Sequence, residues 1–346
     1  MGIENPEDSH FPELWIASIV EARNAGREAF QGEGLSYLDE PGAGAGVGVG
    51  ASEATSLRAL IESDPEFYLG EKHVKKHKTS LALLLKLLDS VDRLSIQVHP
   101  DKVKAEKYFH SPYGKTEAWY ILGGRKINGE DPHVYFGFKP GVTREQWQVY
   151  FDTQNIQAML DSLHKIYVKP GDVLFVEGGV PHAIGPGCFL AEIQEPTDYT
   201  LYTERTNASG QTIPEQTAHQ GIGFEKMFDC FHYETYTLEE ASEKWLSKPA
   251  LQCENSDYSI HNLISDRQTD AFQLDRITIH RKWLHHKTLE FCVLFALEGQ
   301  GTLRTQGGES HAITQGSQFF VPAHTEYFEI LNSEAQPLTL LYCKVP

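Results

Sequence analysis

The 346-residue chain lacks the usual marks of secreted, membrane-spanning and nucleic-acid-binding proteins. Its five cysteines are scattered and form no CxxC pair, which argues against a disulfide framework or a thiolate zinc site. The formal net charge of −18 argues against nucleic acid and anionic membranes as partners. No apolar run reaches the ~18–20 residues of a membrane span, and the acidic N-terminal sequence has no secretory h-region. We therefore predict a cytoplasmic protein that binds neither nucleic acid nor membranes.

Short β-rich runs alternate with glycine and proline turns from residue 93 onward. Examples are RLSIQVHP, PHVYFGF, KIYVKPGDVLFVEGG and, nearer the C-terminus, LFALEGQGTLRT. Runs of this kind are typical of β-sandwiches and jelly rolls. Because the layout recurs over about residues 255–346, we predict a mainly β fold. It would consist of two cupin-type jelly-roll barrels with helical segments packed on the first.

Helical periodicity interrupts this pattern in three places, over residues 52–90, 143–165 and 221–247. The first segment ends in LALLLKLLDS, which we interpret as the apolar face of a helix packed on a sheet. The low-complexity stretch GAGAGVGVG, residues 42–50, predicts a flexible surface loop, with a lid as the alternative.

Four polar residues lie in predicted strands or at strand ends. Gln97 and His99 are two residues apart, so their side chains would share one face of a strand. Together with Glu117 and His182 they offer two imidazoles, a carboxylate and an amide oxygen, a set that suits a divalent first-row metal. Taken singly, a histidine in a strand is more often a hydrogen-bonded structural residue, and Glu117 alone is consistent with a surface carboxylate.

The motifs that contain these residues resemble type I mannose-6-phosphate isomerases, which are zinc-dependent cupin enzymes. SIQVHPD, GKTEAWYIL and GDVLFVEGGVPHAIGPG, followed by EIQEPTD, occur in the same order, and ELWIAS resembles the N-terminal segment of the family. The resemblance covers about residues 10–235 and a general cupin-like tail. It implies one Zn²⁺ per chain, in the first cupin domain. The implied ligands are Gln97, His99, Glu117 and His182.

The resemblance also implies active-site roles for Lys115, Glu192 and Asp198. The family continues from the aspartate as D-x-x-x-R, but Tyr202 occupies the arginine position in TDYTLYTER. A phenol supplies neither a fixed positive charge nor a bidentate fork. Arg205, three residues further on, is the candidate to compensate, although a shift of three residues changes the face of a strand.

By resemblance, the chain is a metal-dependent aldose–ketose isomerase with a small sugar phosphate as its partner. The best match is the interconversion of mannose 6-phosphate and fructose 6-phosphate through an enediol. Residues 1–250 would form the catalytic cupin domain with helical insertions, and residues 251–346 a degenerate second cupin domain. Three alternatives remain: an isomerase or epimerase of an unphosphorylated sugar, a non-catalytic sugar-binding cupin, and an iron oxygenase.

Overall fold

The computed structural model describes residues 55–286 and 288–346, together with two short strands at residues 18–19 and 46–47. Most of the predicted loop at 42–50 and of the ELWIAS segment lies outside these residues. Of these two segments, only Ser18 and Gly46–Val47 are described, and Gly46–Val47 pairs with Thr55–Ser56. In the part of the chain that is described, no helix is long and apolar enough to cross a membrane.

The described elements are numbered in chain order. The helices are α1 Leu57–Ser63, α2 Pro65–Leu69, α3 Glu71–His77, α4 Lys102–Phe109, α5 Arg144–Asp152, α6 Ile156–Asp161, α7 Glu215–His219, α8 Phe224–Asp229 and α9 Leu238–Trp245. The strands up to the middle of the chain are β1 Ser18–Ile19, β2 Gly46–Val47, β3 Thr55–Ser56, β4 Leu84–Asp89, β5 Gln97–Val98, β6 Glu117–Gly124, β7 His133–Phe138, β8 Leu163–Tyr167, β9 Val173–Val176, β10 His182–Ile184, β11 Cys188–Gln194 and β12 Leu201–Tyr202. The remaining strands are β13 Ala250–Glu254, β14 Tyr258–Ile264, β15 Gln273–Ile279, β16 Lys282–His286, β17 Cys292–Glu298, β18 Gly301–Thr305, β19 Ser310–Ile313, β20 Gln318–Val321, β21 Tyr327–Asn332 and β22 Leu338–Lys344.

Residues 84–247, together with Ile19 of β1, form one compact unit, which we call the first sandwich. It contains two sheets, with strand orders β1-β4-β11-β6-β9 and β12-β5-β10-β7-β8. Apolar side chains from both sheets, such as Trp119 and Phe136, form one buried cluster. Successive residues of a strand point to opposite faces. The other face of the second sheet therefore packs against helices, through residues such as Val98, Trp147 and Phe228.

Residues 248–346 and the helices of residues 57–83 form the other compact unit. We call its two sheets the second sandwich; their strand orders are β13-β14-β15-β22-β17-β20 and β16-β21-β18-β19. Its core cluster consists of apolar residues that include Trp283, Leu294 and Phe328. The α2 segment joins this unit through the amide of Ala323, which donates to the carbonyl of Tyr68 at 2.9 Å.

The prediction of a mainly β fold is confirmed, whereas closure into two barrels stays a prediction. The prediction of a helix over residues 52–90 is wrong at its C-terminal end, because residues 84–89 form β4. Leucine favours helices in isolation, but β4 pairs with β11 along its whole length. Burial on both sides of the sheet thus outweighs local helix propensity.

Candidate functional site

Strand β5, which begins at Gln97, is held in place by a buried ion pair. Nη1 and Nη2 of Arg93 donate to the carboxylate of Glu204, at 2.5 and 2.9 Å. The same carboxylate accepts a hydrogen bond of 2.6 Å from the amide of Ile96. A bidentate pair of this kind restricts geometry as well as supplying energy. The segment that leads into β5 is therefore fixed against the segment that follows β12.

Three strands of the second sheet place polar side chains in one row. Tyr202 on β12 lies opposite Gln97 on β5, which lies opposite His182 on β10. Directly opposed residues share a face, and their neighbours Val98 and Leu201 belong to the helix-side cluster. The row therefore points between the sheets. Nε2 of Gln97 lies 3.1 Å from Nε2 of His182.

The facing sheet contributes Glu117, and His99 approaches from the residue after β5. Oε2 of Glu117 lies 3.4 Å from Nε2 of His99, and Oε1 lies 3.7 Å from Nε2 of His182. One ligand atom from each of these three residues falls within 4.8 Å of the others, and all three are buried. The structure thus brings together the residues that the sequence predicts as metal ligands, Gln97 included.

Backbone carbonyls orient both imidazoles. Nδ1 of His99 lies 2.8 Å from the carbonyl of Tyr199, and Nδ1 of His182 lies 2.9 Å from that of Val180. Because a carbonyl only accepts, each Nδ1 carries the proton and donates. Each Nε2 then presents its lone pair to the cluster, which is the tautomer that metal-binding histidines use.

Burial and charge set the protonation states of the cluster. Burial lowers the pKa of His182 to about 3, so its imidazole is neutral. Burial alone would raise the pKa of Glu117, but the Lys115 ammonium, 3.0 Å from Oε2, helps to hold it well below its usual value. Burial alone would lower the pKa of Lys115, yet Glu117 and Glu192 raise it. The site therefore holds the carboxylate of Glu117, the ammonium of Lys115 and the neutral imidazole of His182.

These residues fit a divalent metal ion. Oε2 of Glu117 is buried, 3.0 Å from Nζ of Lys115 and 3.4 Å from Nε2 of His99. A buried carboxylate is costly unless positive charge or donors surround it. Two imidazoles, a carboxylate and an amide are donors that suit Zn²⁺ and neighbouring first-row metals. The cluster therefore has the donor set of a metal site.

A second carboxylate, Glu192, lies beside this cluster on the first sheet. Strands β4, β11 and β6 place Lys86, Glu192 and Trp119 in one row. Trp119 belongs to the core between the sheets and donates from Nε1 to Oε1 of Glu117 at 3.0 Å. Burial, together with the charge of Glu117, raises the pKa of Glu192. A carboxyl group in this state can exchange a proton nearer to neutral pH.

Asp198 is connected to Glu192 through Lys86, whereas Arg205 makes no described contact with these residues. Nζ of Lys86 lies 3.6 Å from the carboxylate of Glu192 and 3.4 Å from that of Asp198. The guanidinium of Arg205 instead lies over the rings of Phe151 and Phe224, at 5.0 and 5.1 Å from their centres.

Arg205 lies in the irregular segment after β12. Tyr202 faces the sandwich interior, and Phe151, beneath Arg205, belongs to the helix-side cluster. The structure thus places Arg205 apart from the cluster, and the idea that it compensates for the expected arginine at Tyr202 stays a prediction.

Lys86 is a site residue that the sequence analysis missed. It is the only charged residue in the apolar run LALLLKLL, which we interpreted as a helix. Read as a strand, the same run places Leu84, Lys86 and Leu88 on one face, so the lysine would have marked the polar end of that face.

Comparison with known proteins points to one family. The family model described as phosphomannose isomerase type I, catalytic domain, matches residues 45–122. The model described as mannose-6-phosphate isomerase, cupin domain, matches residues 266–335. The chain is 28% identical over 254 residues to the probable mannose-6-phosphate isomerase GmuF of Bacillus subtilis, covering 72% of this chain and 71% of that protein. It is 35% identical over 132 residues to mannose-6-phosphate isomerase ManA of the same organism, covering 37% of this chain and 39% of that protein.

Solved structures share the fold. The crystal structure of mannose 6-phosphate isomerase from Bacillus subtilis superposes with a TM-score of 0.69 at 20% identity, covering 96% of this chain and 97% of that one. A putative mannosephosphate isomerase from Archaeoglobus fulgidus gives a TM-score of 0.62 at 18% identity, covering 84% and 80% of the two chains. At these identities the likeness concerns the fold alone.

Proposed function

The chain belongs to the type I phosphomannose isomerase family, and we propose that it interconverts mannose 6-phosphate and fructose 6-phosphate. The observation that carries this proposal is the buried cluster of His99, Glu117 and His182 with Lys115 and Glu192 beside it. The cluster combines a metal site with a proton-exchanging carboxylate, which is what an aldose–ketose isomerisation through an enediol requires.

We propose Zn²⁺ as the metal, one ion per chain, with Gln97, His99, Glu117 and His182 as its ligands. The ligand set carries a single formal negative charge, so a zinc site built from it keeps a net positive charge. These residues would hold the ion, which would supply Lewis acidity to the oxygens of the sugar. The hydrogen bonds from Nδ1 of both histidines to backbone carbonyls keep the ligand nitrogens in place.

Glu192 is the proposed proton carrier. As a carboxylate it accepts the proton from C2 of the open-chain aldose; the electrons of that C–H bond form the C1–C2 double bond, and the π electrons of the C1 carbonyl move to O1. The hydroxyl proton of O2 passes to O1, the C2 carbonyl forms from the electrons on O2, and Glu192 returns its proton to C1, which gives the ketose. The raised pKa of Glu192 favours both halves of this transfer. Lys115 stays an ammonium and offsets negative charge that develops on the sugar oxygens.

Lys86 and Asp198 complete the proposed site at its more exposed end. Lys86 bridges Asp198 and Glu192, so the pair orients Glu192 and sets the local charge. The side chain of Asp198 is 69% exposed and that of Lys86 is 12% exposed, which places Asp198 nearer to solvent. We propose that the site residues lie in a catalytic cupin domain, residues 1–250, and that residues 251–346 form a degenerate second cupin domain. The cytoplasmic location stays a prediction.

The test is to incubate zinc-loaded protein with mannose 6-phosphate and, separately, with free mannose, and to measure ketose. We expect turnover of the phosphorylated sugar. Conversion of free mannose alone would favour the alternative of an isomerase of an unphosphorylated sugar, which the presence of Tyr202 at the arginine position of the family motif supports. If zinc-loaded protein converts neither sugar, the proposed function fails and a binding role remains.

A further inference from the structure

His232 joins the two loops that carry metal ligands of the proposed site. Its amide donates to the carbonyl of Gly179 at 2.8 Å, and Nε2 of its ring lies 2.9 Å from Oδ2 of Asp101. Gly179 belongs to the loop that leads into His182, and Asp101 lies two residues after His99. One residue from a distant part of the chain therefore contacts both loops.

The ring of His232 lies directly against the backbone of Gly179. Gly179 has φ +94°, and a Cβ placed there would come within 2.5 Å of Cγ of the His232 ring. Gly178 lies similarly close to the loop that contains Asp101, since a Cβ placed on Gly178 would lie 2.7 Å from Cα of Asp101. Both glycines thus permit an approach that any larger residue would prevent.

Two further hydrogen bonds connect this contact with the ligands. The amide of Gly179 donates to the carbonyl of His99 at 2.7 Å. The carbonyl of Val180, the next residue in the loop, accepts from Nδ1 of His182. A displacement of the Gly179–Val180 backbone would therefore move both imidazoles.

A cleft of about 240 Å³ lies beside this loop, and its lining includes Val180, Pro181 and His232. Removing the His232 ring would extend this cleft to the backbone of Gly179, which the ring now covers. Asp101 is itself fixed, because its other carboxylate oxygen accepts from the amide of Lys104 as the N-cap of α4.

We propose that His232 is a positioning residue of the metal centre, holding the His99 and His182 loops at the spacing that binds the ion. The inference rests on the proposed metal site. His232 touches neither the ion nor the substrate; it acts through Asp101 and Gly179. Loss of such an outer contact lowers metal affinity, by about tenfold at the lower end of measured cases.

The test compares His232→Ala, His232→Gln and Arg144→Ala with the unchanged protein. Arg144→Ala is the matched control, because Nη1 of Arg144 lies 2.7 Å from Oδ1 of Asp229 in a half-buried ion pair of the same unit. The contacts described for its side chain are with Asp229 and the ring of Tyr233, and not with either ligand loop. Zn²⁺ affinity is measured by competition with a chromophoric chelator, the visible spectrum of the Co²⁺ form reports ligand geometry, and urea unfolding of metal-free protein reports stability.

We expect His232→Ala to weaken Zn²⁺ binding by about tenfold and to alter the Co²⁺ spectrum. His232→Gln should restore affinity to within about threefold, because its amide can donate to Asp101. Arg144→Ala should shift the unfolding midpoint as His232→Ala does while leaving Zn²⁺ affinity unchanged. Equal affinity in all four proteins, or equal loss in Arg144→Ala, would overturn the inference. If the unchanged protein binds no Zn²⁺, the proposed metal site fails instead.

Discussion

The space between the sheets is filled differently in the two sandwiches. In the first, one end of the interior holds Gln97, Glu117 and His182, with the apolar cluster around Trp119 beyond them. In the second, the core cluster includes Trp283 and Phe328, and a buried imidazole, that of His285, stacks on Phe328. Among the described residues of the second sandwich, no group of three metal-binding side chains comes together.

This difference separates stability from function within one chain. Buried apolar residues stabilise a sandwich, whereas buried charges cost free energy unless they are paired. The first sandwich keeps Lys115, Glu117 and Glu192 buried although an apolar end would be more stable. Groups retained at such a cost are candidates for catalysis, and their perturbed pKa values support that assignment.

The largest effect is expected from removing the proton carrier. Glu192→Gln should lower kcat for mannose 6-phosphate by about 10²–10⁴-fold, because an amide cannot exchange the C2 proton. Zinc content should stay at that of the unchanged protein. The matched control is Glu195→Gln, which changes another buried carboxyl group with a raised pKa; there the amide oxygen can still accept from the amide of Thr116. Zinc loss from Glu192→Gln would show instead that this residue is structural.

Neutralising Glu117 should damage both metal binding and folding. Glu117→Gln removes the carboxylate that contributes most to compensating Lys115, which is only 3% exposed. An uncompensated buried charge costs about 3–5 kcal/mol. We expect this loss in urea titrations of metal-free protein, together with much weaker Zn²⁺ binding. Zn²⁺ affinity equal to that of the unchanged protein would remove Glu117 from the ligand set.

A cavity in the second sandwich should affect stability only. Phe328 is fully buried, and Phe328→Ala should lower the free energy of unfolding by about 3–5 kcal/mol. At a temperature where the variant stays folded, its kcat and zinc content should match those of the unchanged protein. A selective fall in kcat would mean that the apolar sandwich takes part in catalysis, and the contrast between the two interiors would fail.

Acid should weaken the second sandwich through His285. Burial lowers the pKa of His285 from 6.5 to about 4, and its ring stacks on Phe328. The unfolded chain therefore takes up the proton first as the pH falls. The neutral histidine contributes up to about 3 kcal/mol above pH ~6.5, and this is lost as the pH falls towards 4.

The check is a pair of urea titrations, at about pH 7 and about pH 4.5, on the unchanged protein and on His285→Phe. The phenyl ring keeps the stacking but cannot take up a proton, so the variant should lose less stability on acidification. An equal loss in both proteins would assign the acid sensitivity to other groups.

The residues of the metal cluster could be predicted from the sequence, and the reason is local. Gln97 and His99 lie two residues apart next to a strand, so their common orientation follows from strand geometry. The order of the motifs, which resembles that of the family, then identified Glu117 and His182 as the remaining ligands. Their closeness in space could not be derived from spacing alone, since it depends on how β6 and β10 face each other across the sandwich.

Other parts of the site could not be predicted, because long-range pairing determines them. Lys86 reaches the site only because β4 pairs with β11, whereas the leucines around it favour a helix. Arg205 is drawn away by stacking on Phe151 and Phe224, two rings supplied by separate helices. His232, about 130 residues from Asp101 in sequence, carries no motif that would have singled it out.

The central claim is that the polar end of the first sandwich is a metal-dependent isomerase site. Its most direct test is to titrate Zn²⁺ into chelator-stripped protein while measuring bound metal and mannose 6-phosphate turnover in the same samples. We predict that turnover rises in proportion to bound zinc and reaches a plateau at one ion per chain, and that His182→Ala shows neither binding nor turnover. Full turnover without bound metal, or stoichiometric binding and turnover in His182→Ala, would contradict the account.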